Sequence, residues 1–358
     1  MSEPPQNGQT PSRPTDAPPI RFRDEQIEMS HGAGGKASRR LVEGLIAPIL
    51  HNPTLAALGD AARLDLGGVH LAMTADSFVV NPLRFPGGSI GELAVNGTVN
   101  DLAVGGARPR ALVCTLVLEA GLEAGVLRAE LEAMADAARA AGVEVVGGDT
   151  KVVEHGKADG VYITTAGIGV ADRRLSLSAG SVQAGDRVLL SGPIGDHGIT
   201  ILLARGELDL EADLESDTRA VWPFIHALAQ AVGEGVRWMR DPTRGGVASA
   251  LNELARETKL GVVLEEEALP VRGPVRGACE ILGLDPLHIA NEGQFLAVVA
   301  AEHAQAALEA VRSVPGGEEA VLIGEVREKP ARTVLTRASY GGTRVVDMLI
   351  GDPLPRIC

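Results

Sequence analysis

One layout recurs in the two halves of the chain: an aliphatic strand, a glycine turn carrying an acid, a helix and another strand. In the first half, residues 69–75 run into Asp76-Ser77, and residues 143–146 run into Gly147-Gly-Asp-Thr-Lys151. In the second half, residues 187–190 enter Ser191-Gly-Pro-Ile-Gly-Asp-His197. There also Met239-Arg-Asp-Pro-Thr-Arg-Gly-Gly246 opens onto the helical pattern of 247–256. Strands interleaved with helices restrict the chain to an α/β architecture, in which helices cover the faces of sheets. At 358 residues there is room for two such units. The polar, turn-rich stretch 171–186 is the expected boundary. The resulting plan is an extension over 1–20, a first domain over 21–172, a second over 173–338, and a tail over 339–358.

Composition narrows the partners. A formal charge of −14 argues against nucleic acid and anionic membranes. It leaves ATP open, since glycine loops and a bound cation hold phosphates on an acidic protein. Three cysteines without a CxxC pair fit a reducing compartment, and the expected location is the cytoplasm. Cys114, within the apolar run 111–118, and Cys279, beside Ile281 and Leu282, read as core residues. No run of apolar residues is long enough to span a membrane. Residues 1–19 are rich in Pro, Gln, Thr and Ser and are expected to be disordered.

Several stretches carry residues suited to chemistry, and each has a plainer alternative. Ser30-His-Gly-Ala-Gly-Gly-Lys36 precedes a helical stripe and fits either an anion cradle or a flexible turn. Ser89 and Glu92 have capping-box spacing at the start of a helix that holds Asn96, Asn100 and Asp101. The flanks of Asn100-Asp101 are small and apolar, which favours a site over a solvated face. Asp149 follows a strand and two glycines, the place for a metal or phosphate site or for an ordinary Gly-Gly-Asp turn. Asp241 and Arg244 stand at a helix entrance, which suits an anion or a simple capped start. The chain ends in Gly351-Asp-Pro-Leu-Pro-Arg-Ile-Cys358, where Pro353 and Pro355 stiffen an approach to a thiol. Eight extended residues reach roughly 25 Å. Such an arm is either a frayed tail or a carrier that moves a group between sites.

Taken together, His31-Gly-Ala-Gly-Gly-Lys36, Thr74-Ala-Asp-Ser77, Asn96-Gly-Thr-Val-Asn-Asp-Leu-Ala103, Gly147-Gly-Asp-Thr-Lys151, Arg240-Asp-Pro-Thr-Arg-Gly-Gly246, Asn291-Glu-Gly293 and Pro355-Arg-Ile-Cys358 resemble one family. It is the HypE family of hydrogenase maturation factors. The family sits within the ATP-binding superfamily of aminoimidazole ribonucleotide synthetase, selenophosphate synthetase and thiamine-monophosphate kinase. The resemblance runs over 21–358 and leaves out the N-terminal extension.

The resemblance implies a two-domain PurM-like fold with mixed α+β sheets and a flexible C-terminal tail bearing the reactive cysteine. It implies an N-terminal domain that binds ATP and pairs with its twin in a homodimer. It also implies that HypF places a carbamoyl group on the Cys358 thiol. ATP then drives dehydration of that thiocarboxamide to a thiocyanate. The HypC–HypD complex accepts the cyanide on the iron destined for the [NiFe] centre.

Residue chemistry assigns the expected roles within that frame. Asp76, Asp101 and Asp149 supply hard oxygen ligands for Mg²⁺. Asn100 binds phosphate or metal-bound water. Lys151 holds the transferring phosphate or charge on the amide oxygen. Glu292 is the first candidate base for the nitrogen protons and Lys151 the second. Asp241 and Arg244 face the nucleotide from the second domain, and the Lys36 loop closes over the phosphates. Two rivals stand beside this: another ATP-dependent kinase or synthetase of the superfamily, which has no use for Cys358, and a non-enzymatic carrier, which leaves the acids unexplained.

Overall fold

The structure is a computed structural model that describes residues 20–206, 212–351, 354 and 356–358. The extension expected to be disordered, residues 1–19, and the stiffening prolines Pro353 and Pro355 lie outside the described residues.

The first domain is built on β1 (Ala62–Leu66), β2 (Val69–Phe78), a small hairpin of β3 (Arg84–Phe85) and β4 (Gly88–Ser89), β5 (Ala107–Glu119), β6 (Glu144–Val153) and β7 (Val161–Ala171). Its main sheet has the order β1-β2-β7-β5-β6, antiparallel except for the parallel pair of β5 and β6. One face of the sheet is covered by helix Ile90–Val104, whose Ile90, Leu93 and Val99 pack with Phe78, Leu112 and Ile163. Helix Ala124–Ala141 lies over that helix and buries Met134 and Ala138. Ser89 is the N-cap residue of helix Ile90–Val104, but its hydroxyl accepts no bond from the helix. The buried Glu130 takes the Gly91 N–H instead, at 3.2 Å, and is itself neutralised by Arg84. A carboxylate at a helix N-terminus satisfies orphan N–H groups as a capping box does, from a distant part of the chain.

The other face of this sheet is open. Met73, Val113, Val145, Val146, Ile168 and Val170 are exposed on it or at its β6 edge. β6 is exposed along nearly its whole length.

The second domain holds β8 (Arg187–Leu190), β9 (Val236–Arg240), β10 (Gly261–Glu265), β11 (Leu296–Val299), β12 (Val321–Arg327), β13 (Val334–Arg337) and β14 (Thr343–Val346). They form one mixed sheet in the order β14-β13-β10-β12-β8-β11-β9. Helix Gly246–Thr258 packs on one face through Val247, Leu251 and Leu254. Helices Trp222–Ala231 and Ala304–Arg312 cover the other. The stretch expected as a tail from residue 339 thus contributes the edge strand β14, and the chain leaves the sheet only after Val346. Ala103 and Val104, at the end of the first domain's central helix, sit in the core of the second domain among Leu189, Phe224 and Met239. This insertion makes a seam at which residues from both domains meet. Among the described residues, no helix is long and apolar enough to cross a membrane.

Candidate active site at the domain seam

Three carboxylates converge where the domains touch. Asp101 is carried by the buried helix Ile90–Val104, Asp60 by the loop before β1, and Asp241 by the turn directly after β9. Their oxygens lie within 4.8 Å of one another. Asp101 Oδ2 also accepts the Thr74 hydroxyl at 2.8 Å. Arg240 Nη1 reaches Asp60 Oδ1 at 3.0 Å and Glu253 Oε2 at 3.1 Å.

That one guanidinium leaves the group under-neutralised. Loss of solvent, then repulsion from Asp60, pushes Asp241 up to about 8. Loss of solvent and the neighbouring Asp241, Asp60 and Asp76 hold Asp101 well above the usual carboxylate range. Desolvation raises Asp60 as well, against the pull of Arg240. Acids this close, with so little positive charge, form a site that a small hard cation stabilises.

Asp76, on β2, flanks the cluster and faces Arg244 at 3.7 Å. Arg244 sits on a turn that needs glycine on both sides of the contact. Gly246 has φ +59°, and a Cβ there would meet the Ile289 and Leu287 carbonyl oxygens at 2.6 Å. Gly34 of the glycine-rich loop has φ +74°, and a Cβ on it would lie 2.4 Å from the Arg244 carbonyl oxygen. Arg244 Nη1 donates to the Gly32 carbonyl at 3.2 Å. Negative charge at Cys358, ahead of that at Asp76 and Glu292, holds the guanidinium firmly protonated. Arg244 and Cys358 line one cavity of about 310 Å³ with Ala33, Ser77, His288 and Ile357.

Glu292 is buried nearby, and its Oε1 has no hydrogen-bond partner among the described residues. Desolvation first, then Asp76, Asp241 and Asp217, raise it well above the ordinary glutamate value, and Arg244 opposes them. Its backbone is clamped from two sides. Asp217 accepts the Glu292 N–H at 3.0 Å and the Gly293 N–H at 3.3 Å. Asn100 Nδ2 donates to the Glu292 carbonyl at 3.1 Å.

The seam therefore gathers Asp76, Asp101, Asp241, Arg244, Glu292 and Cys358 from the expected set and redistributes the rest. Asn100 gives both amide hydrogens to the Arg219 and Glu292 carbonyls and accepts the Val221 N–H at 2.8 Å. With both its donors committed to the backbone, its amide ties the first domain's central helix to the second domain. Lys36 is paired with Asp347 at 2.5 Å, and its N–H is held by the Leu349 carbonyl. The glycine loop is thus packed on the 347–349 segment, and the ammonium is engaged there.

Asp149 and Lys151 lie on the exposed strand β6 and pair with each other at 2.6 Å. Cross-strand register runs from Asp76 to Thr165, Cys114 and Gly148. Three strand spacings, about 14 Å, therefore separate Asp149 from Asp76 within one chain. Lys151 bonding first, and the Thr150 N–H second, hold Asp149 below the ordinary carboxylate range.

Asp60 and Asp217 escaped the sequence reading. Asp60 stands in Leu58-Gly-Asp-Ala61 with no motif around it, and Asp217 in an acid-rich stretch without a glycine turn. His197, at the end of the Ser191–His197 turn, is completely buried and bonds the Ile357 carbonyl from Nε2 at 2.7 Å.

Residues 58–171 match the model of the AIR synthase related protein N-terminal domain, and residues 183–336 match that of its C-terminal domain. The carbamoyl dehydratase HypE of Azotobacter vinelandii is 52% identical over 337 residues, covering 94% of this chain and 98% of that protein. A solved HypE–HypF complex contains a chain that superposes with a TM-score of 0.82 at 42% identity, over 86% of this chain and 99% of that one. A HypE structure in complex with ATP gives a TM-score of 0.77 at 44% identity, over 93% of this chain and 100% of the other.

Proposed function

This chain belongs to the carbamoyl dehydratase HypE family, and on that premise we propose that it binds ATP and dehydrates a carbamoyl group carried on its own Cys358. The reaction takes R–S–C(=O)–NH₂ and ATP to R–S–C≡N, ADP and phosphate. The amide oxygen attacks the γ-phosphorus, so the oxygen leaves carbon as phosphate, while nitrogen gives up two protons and closes the triple bond. Positioning and charge stabilisation are what such a transfer asks of a protein.

The observation that carries the reading is the place of Arg244. Its guanidinium faces Asp76 beside the carboxylate cluster and shares a cavity with Cys358. Phosphates held at the cluster and a group held on the sulfur therefore meet at one cation. The crowded oxygens of Asp60, Asp101 and Asp241, with Asp76 at their flank, fit Mg²⁺, which supplies charge for the phosphate oxygens of ATP when bound. Arg244 stabilises charge that develops on the carbamoyl oxygen. Glu292, unpartnered at Oε1 and raised in proton affinity by burial, takes a proton from nitrogen.

The reading extends to partners. HypF delivers the carbamoyl group, in keeping with the solved HypE–HypF complex. The HypC–HypD complex takes the cyanide. A second copy of the chain covers the open sheet face and the β6 edge, where exposed valines and an unpaired strand edge invite pairing. Asp149 and Lys151 then act from the partner copy, which is the route by which the second candidate base and the third expected metal ligand join a seam.

The test follows the mass of the C-terminal peptide after incubation with HypF, carbamoyl phosphate and Mg-ATP. The wild-type peptide passes through a carbamoylated form to a cyanated one. Glu292→Gln stops at the carbamoylated form, because Gln keeps the shape and accepts no proton. Cyanation of that variant at the normal rate would remove Glu292 as the base. A Cys358 that never gains the carbamoyl group would overturn the function itself.

A further inference from the structure

We infer that His197 and Arg205 are positioning residues that grip the backbone of the last three residues and seat Cys358 for dehydration, not for receipt of its group. This rests on the reading that Cys358 carries the carbamoyl group. The backbone oxygens of three consecutive residues are taken. Arg356 O accepts from Arg205 Nη2 at 2.7 Å and from Asn81 N at 3.4 Å. Ile357 O accepts from His197 Nε2 at 2.7 Å, and Cys358 O from Val79 N at 3.0 Å. Arg205 Nε also donates to Asn81 O at 3.0 Å, so one guanidinium ties the end of the tail to the segment that receives it. The pairing of 358 with 79 and of 356 with 81 is antiparallel, which sets the register of the thiol against Ser77 and the Arg244 cavity.

The proton on His197 is fixed by its partners. A carbonyl only accepts, so Nε2 carries the hydrogen, and Nδ1 takes the Ser216 hydroxyl at 2.8 Å. Burial keeps the ring neutral, with its pKa lowered to about 4. The ring lies edge-on to Phe85. An enclosed imidazole N–H whose partner is a tail carbonyl loses that partner when the tail lifts, and a buried donor left unmade is costly. Leu354 and Ile357 add apolar anchors in the same core. Gly198, next to His197, leaves the space that Leu354 uses, since a Cβ there would approach Leu354 Cδ1 to 3.2 Å.

These bonds grip main chain and not side chains. They are therefore sensitive to register, which decides where the sulfur falls. A donor enzyme, by contrast, needs the arm outside the cavity. Loss of the grip must then slow dehydration without slowing receipt of the group.

The experiment compares wild type with Arg205→Ala, Arg205→Lys and His197→Leu. Iodoacetamide labelling, located by peptide mass so that the buried Cys114 and Cys279 are told apart, reads exposure of Cys358 without any enzymatic step. Labelling is expected to rise about fivefold or more in Arg205→Ala and His197→Leu, with Lys restoring part of the protection. Dehydration of Cys358 carbamoylated beforehand is expected to fall about tenfold in kcat with KM for ATP unchanged, while carbamoylation by HypF keeps its rate or gains. If His197→Leu does not fold, Arg205→Ala, at a partly exposed site, decides the matter. Unchanged labelling and unchanged dehydration in Arg205→Ala would overturn the grip. Absence of carbamoylation in wild type would instead sink the carrier role of Cys358, and the labelling result would still stand.

Discussion

Asp241 and Asp149 look alike in sequence and occupy opposite surroundings. Each ends or interrupts a strand beside small residues and a cation. Asp241 is 8% exposed, at a seam where Asp60 and Asp101 crowd it and burial drives its pKa up to about 8. The Asp149 side chain is 58% exposed, on the open strand β6, and Lys151 draws its pKa down. An acid becomes a cation trap when other segments press acids against it faster than they bring positive charge. An acid at a strand edge stays a solvated half of an ion pair until another surface covers it. On the proposed reading, the two are a site finished within one chain and one left unfinished at its border.

The sharpest test of the finished site is chemical. Asp101→Asn and Asp241→Asn each remove one oxygen-ligand charge while keeping shape. Either is expected to lower Mg-ATP turnover by about 100-fold, measured as phosphate release, with far-ultraviolet circular dichroism unchanged. Turnover near the wild-type rate in folded variants would mean that the seam holds no metal.

The unfinished site is tested through its border. Val146 is 62% exposed on β6, and a charge placed there by Val146→Lys blunts the edge. Light scattering at about micromolar concentration is expected to give the mass of a pair for wild type and of a single chain for the variant. Asp149→Asn is expected to cost about tenfold in ATP turnover. If Asp149 acts from the partner copy, Val146→Lys costs as much, and combining the two costs no more than either alone, since both remove one contribution. A single-chain mass for wild type, or a fully additive double variant, would separate Asp149 from the seam.

What was legible in the sequence follows the same division. The strand-turn-helix layout foretold both sheets, because β propensity and glycine punctuation are local. Asp101 was legible because apolar neighbours on both sides marked its helix as buried. Asp60 was not, since only the tertiary fold brings residues before β1 against residues after β9. Asn100 shows a narrower limit. Its neighbours announced burial but not that the backbone of 219–221 and 292 would consume its amide. Asp149 and Lys151 show the converse limit. Spacing located the motif at a strand, yet which strand stands at the edge of a sheet is decided by pairing order, and local sequence does not encode it. The division at residue 339 assigns the last strand to the tail. That strand, β14, is held by pairing with β13, four residues against four, and belongs to the sheet.

The smallest expected effect is on stability, and its sign distinguishes the two aspartates. Asp241 binds its proton in the folded state up to a pH of about 8, whereas an unfolded aspartate lets go near about 3.9. A carboxyl raised in this way adds stability that is full below the unfolded value and is lost as pH climbs through the folded one. Metal-free protein is therefore expected to lose several degrees of melting temperature between about pH 6 and about pH 9, and Mg²⁺ to restore most of the loss. Asp241→Asn carries no charge to repel Asp60 and Asp101, so in chelator at about pH 9 it should melt a few degrees above wild type even though its ATP turnover is reduced. Asp149→Asn gives up only a solvated pair with Lys151 and should leave the curve where it was. Melting curves of the three proteins in chelator, taken at the two pH values, make the comparison. A wild-type curve that does not move with pH would show that the seam carboxylates are not repelling one another, and the case for a cation between them would lose its physical cause.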